Sequence, residues 1–185
     1  FYPQQGTPGR MDELKVQVLT QGFWPTQTAC NLSLPTALQA AHDAFDSYFT
    51  ERDGGKKILH WQFVLGDAEI MGKFPKSSYR IGVSTLQAVA LSVLSGQTAP
   101  MTFEDVGQAM GCVTENGGVN EDIVKRVLHS LSCNPKYRVL KKTGPGNPKV
   151  VNAEDKFEPN PAFSSKARRF TIPMADLDNL GATLQ

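Results

Sequence analysis

The sequence has 185 residues, 40% of them hydrophobic and 20% charged, with a formal net charge of +1, a make-up that allows one good core or two small ones. No run approaches the roughly eighteen apolar residues of a spanning helix, and the opening Phe1-Tyr2-Pro3-Gln4-Gln5-Gly6 lacks the basic-then-apolar pattern of a signal peptide. The near-neutral charge gives no general attraction to polyanions, and Cys30, Cys112 and Cys133 offer no C-x-x-C zinc spacing, which fits the reducing cytoplasm and nucleus.

Residues 1–10 are rich in Pro, Gly and Gln and read as a flexible lead-in. Lys15-Val16-Gln17-Val18-Leu19 alternates polar and apolar, the pattern of a short strand. A long helix follows from about Pro35, with Leu34, Leu38, Ala41, Phe45, Tyr48 and Phe49 spaced onto one face and Asp53-Gly54-Gly55 as its stop. Three strands are predicted next from the alternation of Leu59, Trp61, Phe63 and Leu65, then Ala68, Ile70 and Phe74, then Tyr79, Ile81 and Val83. Gly66-Asp67 and Pro75-Lys76-Ser77-Ser78 supply the turns. These elements predict a small antiparallel sheet with a packing helix over 11–83.

From Ser84 the period becomes helical. Leu86, Val89, Ala90, Val93 and Leu94 mark one helix, ended by Gly96. Thr102-Phe103-Glu104-Asp105 reads as a capping box for a second, closed by Gly111. Asn120 is an N-cap for a third that carries Ile123, Val124, Val127, Leu128 and Leu131. Tyr137 to Leu140, a turn-rich Gly144-Pro145-Gly146-Asn147-Pro148 and Val150-Val151 read as strand, loop, strand. Three helices and a hairpin over 84–165 predict a winged-helix domain, and Phe170, Ile172 and Met174 alternate in a last strand within 166–185. The fold class expected is α+β.

Several fragments carry a family resemblance. They are Val18-Leu19-Thr20-Gln21-Gly22-Phe23-Trp24-Pro25-Thr26, Leu34-Pro35, the Phe45/Tyr48/Phe49 cluster and Trp61, then His129-Ser130-Leu131-Ser132-Cys133, Tyr137-Arg138-Val139-Leu140, Asp155-Lys156-Phe157, Asn160 and Phe163. Together they resemble the cullin homology region. The resemblance runs from about Glu13 to Asp178 and implies an α/β unit plus the first winged helix, with the last strand returning to the first sheet so that the winged helix is inserted. It also implies that the substrate-adaptor repeats and the modifier-accepting second winged helix belong elsewhere, and a start at Phe rather than Met points to an excised piece. Lys56-Lys57-Ile58-Leu59-His60-Trp61 and the long Val113 to Val119 segment depart from the family pattern.

The chemistry-bearing residues form no active site. His42, His60 and His129 fall on different elements, Asp53-Gly54-Gly55-Lys56-Lys57 lacks the glycine spacing of a phosphate loop, and the Glu104/Asp105 and Glu121/Asp122 pairs suit helix starts. No cofactor and no metal is expected. What the resemblance implies instead is a non-catalytic scaffold of a RING ubiquitin ligase. It takes up a strand of the RING-box protein, and through it a ubiquitin-conjugating enzyme, with Val16, Val18, Leu59, Trp61 and Phe63 as candidate contacts. Each of these five can equally fill the core of the small sheet. The alternatives are a cullin-like subunit of the anaphase-promoting complex and a winged-helix nucleic-acid-binding protein. For the last, the third helix opens on Asn120, Glu121 and Asp122, two of which repel phosphate, and only Lys125, Arg126, His129, Lys141, Lys142 and Lys149 supply positive charge.

Overall fold

The computed structural model describes residues 14–20, 32–114 and 116–175. The contacts divide these into two compact units, one holding 14–20 and 34–61, the other holding 32–33 and 62–175.

In the first unit, α1 (Thr36–Asp53) begins after Pro35, whose missing N–H is no loss at a helix start. It ends where Gly54 takes φ 62°, a left-handed conformation cheap only for glycine, and Gly55 N–H closes on the Thr50 carbonyl. Lys15 to Leu19, predicted as a strand, pair with no strand among the described residues. Val16 is half-buried while Val18 and Leu19 stand 48% and 43% exposed, so the alternation matches neither a hydrogen-bonded neighbour nor one buried face.

Another departure runs along the chain from the first unit into the second. Leu59 to Leu65 forms no strand. Phe63–Leu65 is a single 3-10 turn instead, because Gly66 N–H bonds back to the Phe63 carbonyl and the Gly66 carbonyl accepts from Thr85 N–H.

From there β1 (Asp67–Lys73) and β2 (Ser78–Ser84) pair antiparallel in the register Ile70 opposite Ile81, through a tight turn in which Phe74 and Ser77 exchange backbone bonds. Tyr79, Ile81 and Val83 face the core. β6 (Arg169–Thr171) completes this sheet on the far side of β2, and it runs parallel to β2, so the sheet is mixed. Tyr137 stacks on Phe170 with ring centroids 4.2 Å apart, and Tyr79 and Phe163 pack beside them.

β2 runs without a break into α2 (Thr85–Ser95), capped by Ser84: Gln87 N–H donates to Ser84 Oγ (3.2 Å) and Ser84 N–H to Gln87 Oε1 (2.8 Å). The remaining Gln87 group, Nε2, donates to Ser130 Oγ at 2.7 Å, so a fully buried amide is satisfied on both ends. α2 touches β1 and β2, and its Leu86, Val89, Ala90 and Leu94 are buried.

β3 (Met101–Thr102) leads into α3 (Phe103–Ala109), where the Thr102 and Asp105 capping box forms as expected; hydrogen bonds from Thr102 hold the Asp105 carboxyl below its usual range. A Cβ at Gly107 would collide with Val119, so α3 and the segment before α4 (Glu121–Ser132) approach only because that residue is glycine. Asn120 caps α4, and Val124, Val127, Leu128 and Leu131 are fully buried.

The hairpin after α4 lies further along the chain than predicted. β4 is Leu140–Thr143 and β5 is Lys156–Pro159, with Val150 and Val151 in the loop between them. The loop is long because a buried ion pair closes it: Asp155 Oδ2 accepts from Lys142 Nζ and from Asn152 N–H, both at 2.8 Å, and the two charged side chains are 0% and 6% exposed. β3, β5 and β4 form the second sheet, in that order and all antiparallel. The expected mixed α+β class holds. After β6, Ile172 is buried and Arg126 Nε donates to the Ala175 carbonyl (2.8 Å), fixing this stretch beside α4.

Candidate partner-binding site

Four of the five candidate contacts, Val16, Val18, Leu59 and Trp61, fall in the first unit, and Phe63 falls in the 3-10 turn of the second. Within the first unit, Val16 and Val18 line a cavity of about 490 Å³ with Phe45, Tyr48 and Phe49 of α1, the face predicted from spacing. Phe45 stacks near Phe49 at 6.3 Å, and Tyr48 stays 54% exposed. Arg52, Asp53 and Lys57 give the same cavity a charged margin, with Lys57 Nζ 3.3 Å from Asp53 Oδ1. No apolar side chain of this unit is fully buried among the described residues, whereas an isolated core would hide several.

Trp61 is fixed by a polar handle and two rings. Its Nε1–H donates to Asp46 Oδ1 at 2.8 Å, its ring meets Phe45 edge-on at 5.7 Å, and His42 lies over it at 4.6 Å. His42 Nδ1 is also 3.0 Å from Asp43 Oδ1, and that bond, helped by Gln39, lowers the Asp43 pKa. Asp46 and His42 were absent from the sequence-based site. Spacing places His42 and Asp46 beside Phe45 and Phe49 on α1, but nothing local in the sequence pairs Asp46 with Trp61. Leu59 is half-buried and Ile58, its neighbour, is 82% exposed.

The rival surface at α4 offers little to a phosphate. Lys125 is paired with Glu121 (2.9 Å), Lys141 with Glu158 (2.8 Å) and Lys142 with buried Asp155, while Arg126 is spent on the Ala175 carbonyl. Of the basic side chains considered there, Lys149 alone has no partner among the described residues. His129 Nε2 lies 3.1 Å from the Lys149 carbonyl and pins the β4–β5 loop to α4, as does Cys133 Sγ, 3.5 Å from the Pro148 carbonyl. Burial pushes the Cys133 thiol pKa up. Among the described residues no three His, Cys, Asp or Glu side chains come together as a metal site, and no helix is long and apolar enough to cross a membrane.

Burial lowers the His129 pKa, against a smaller upward pull from its bond to the Lys149 carbonyl. With the folded value below the unfolded value of about 6.5, stability from this group is complete above that pH and is lost as pH falls through the folded value. Thermal melts should therefore show an acid-side loss that is smaller in His129→Gln. Superimposable pH profiles for the two proteins would show that His129 plays no part in it.

The described residues form mixed α+β structure with an aromatic, half-covered face on α1, and no catalytic group is assembled among them. The family described as the cullin alpha+beta domain matches residues 18–163. Cullin-1 of Oryza sativa subsp. japonica is 34% identical over 165 residues, 89% of this chain and 21% of the relative. Cullin-2 of Arabidopsis thaliana is 32% identical over 90% of the chain and 21% of its own length, and Cullin-4A of Mus musculus 32% over 91% and 20%. The chain belongs to the cullin family. It spans about a fifth of the length of these relatives.

Proposed function

We propose that the protein is a scaffold subunit of a multi-subunit RING ubiquitin ligase, with no catalytic residues of its own. Membership of the cullin family carries this reading. In it, a RING-box protein is bound through Val16, Val18, Leu59, Trp61 and Phe63, and the ubiquitin-conjugating enzyme it recruits is held near substrate. Proximity then turns an encounter into an effectively intramolecular transfer. Support for the site comes from Val18 and Leu19, exposed beside an aromatic cavity, a combination that suits an extended partner adding backbone bonds and one or two apolar side chains. The order α2, β3, α3, α4, β4, β5 supports reading 84–165 as a winged helix, here used for packing and protein contact since its basic residues are mostly spent internally. The same reading has the protein act in the cytoplasm and nucleus.

Co-expression with a RING-box protein should give a complex that resists proteolysis better than the chain alone, because a ligand of the folded state stabilises it by mass action. Trp61→Asp should abolish the complex, with circular dichroism to detect unfolding. Val18→Asp is the cleaner variant, since an exposed side chain can change without disturbing the fold, and it should weaken binding at least tenfold, about 1.4 kcal/mol. Folded protein that ignores the RING-box protein at micromolar concentration, or binding untouched by both substitutions, would refute the reading.

A further inference from the structure

Asn116-Gly117 sits in the segment between α3 and α4 that departs from the family pattern. The chain turns there as a short hairpin. Val113 pairs with Val119, the Gly118 carbonyl accepts from Thr114 N–H (2.7 Å) and Thr114 Oγ1 (3.1 Å), and the Thr114 carbonyl accepts from Gly117 N–H (2.9 Å). Gly117 takes φ 80°, a left-handed turn position that glycine fills without strain. The same dipeptide is chemically labile, because an asparagine side-chain amide can be attacked by the backbone nitrogen of the next residue, and glycine puts no Cβ in the way. No other asparagine in the chain precedes glycine. Asn134, Asn147 and Asn160 precede prolines, which have no N–H to lose, and Asn31, Asn120, Asn152 and Asn179 precede residues that bear a side chain. Asn116 and Gly117 are both exposed, and the Asn116 side chain has no hydrogen-bond partner among the described residues to hold it away from its neighbour.

We propose that Asn116 is a site of spontaneous deamidation, timed by opening of this hairpin. The Gly117 nitrogen loses its proton to solvent base and bonds to Cγ of Asn116, the Cγ–Nδ2 bond breaks, and the amide nitrogen takes up a proton and leaves as ammonia. Water then opens the cyclic imide at either carbonyl. Cleavage of the new bond at Cγ gives aspartate. Cleavage at the main-chain carbonyl gives isoaspartate, with the backbone routed through Cβ and longer by one methylene. Nothing is oxidised or reduced, and water is the only co-reactant. In the closed hairpin the Gly117 proton is engaged by the Thr114 carbonyl, so the nitrogen is a poor nucleophile until that exposed bond opens. The isoaspartyl product no longer fits the turn. Val119 is seated against Gly107, where even a Cβ would collide, so the added length falls on the turn itself and the bonds from Thr114 to Gly117 and Gly118 are lost. α4 keeps its cap, since Asn120 N–H donates to the Cys112 carbonyl and Asn120 Oδ1 accepts from Ile123 N–H, both outside the turn.

The test incubates the 185-residue chain in mildly alkaline buffer, folded and in urea, and maps its digests by mass spectrometry for exchange of ammonia for water. Isoaspartate is scored with an isoaspartyl-specific methyltransferase, and circular dichroism follows the fold. Asn116 should react ahead of every other asparagine, with isoaspartate among the products. The folded chain should react roughly tenfold or more slowly than the chain in urea, because the hairpin must first open. Thr114→Ala removes one of the bonds that close the hairpin, and should speed the folded protein while leaving the rate in urea unchanged. Asn116→Gln should lose the isoaspartate signal from this peptide. An intact Asn116 while another asparagine reacts, aspartate formed without isoaspartate, equal rates folded and in urea, or a folded rate that Thr114→Ala does not change would overturn the proposal. No partner protein is present, so the outcome is independent of the function proposed above.

Discussion

Asp155→Ala is expected to destabilise the protein by about 3–5 kcal/mol, the cost of leaving one partner of a buried ion pair alone. The neighbouring groups explain why relief is scarce. Lys142 Nζ sits beside the carboxylate with only 6% of its side chain exposed, its other bond is to the Asn147 carbonyl at 3.2 Å, and Asn152 N–H would also lose its acceptor. In a chain of this length each kcal/mol shifts the melting temperature by about 2–4 °C, so the loss should be plain in a thermal scan. Replacing both partners by apolar residues, as in Lys142→Met with Asp155→Leu, should cost much less than the single change, because no charge is then stranded. Single variants within about 1 kcal/mol of the parent would mean that water reaches the pair and that the loop is looser than described.

Phe157→Ala should have a comparable effect for a different reason. Phe157 is fully buried on β5, opposite Met101 on one side and Lys142 on the other, in the strand that α2 packs against. Truncation removes the ring's transfer energy and leaves a cavity, together about 3–5 kcal/mol. Phe157→Leu keeps most of the volume and should cost under about 1.5 kcal/mol. Ile58→Ala, at a side chain 82% exposed, is the control and should be near neutral. Equilibrium denaturation checks all three, and a Phe157→Ala loss no larger than that of Ile58→Ala would refute the placement of the ring.

Local chemistry made part of this fold readable from the sequence. Thr102 and Asn120 announce helix starts through side chains that serve their own backbone, and Gly54 announces a stop because few other residues take its φ. The alternation of Tyr79, Ile81 and Val83 survives because one face is buried against α2. The same period misled at Leu59 to Leu65, where the outcome is set by a bond from Thr85 to Gly66, two positions that no local pattern connects. Likewise the shift of the hairpin from Val150-Val151 to Lys156–Pro159 depends on Lys142 finding Asp155 across the loop. At the candidate site, the aromatic face of α1 was legible from spacing, whereas Asp46 as the acceptor for Trp61 was not, because it joins side chains fifteen residues apart.

The junction of β2 and α2 also bears on how chain length can drift. Ser84 is at once the last paired residue of β2, opposite Asp67, and the N-cap of α2, so no connecting residue exists to absorb a change. One inserted residue there would either slip the strand and turn Tyr79, Ile81 and Val83 to the wrong face, or strip the helix of its cap. The turn around Gly117 carries no such double duty and is mostly exposed, whereas the loop from Gly144 to Glu154 is tied down by Lys142, Asp155 and His129. Insertions and deletions can therefore accumulate at that turn, while the strand-to-helix joint remains a fixed point against which the rest of the chain is measured.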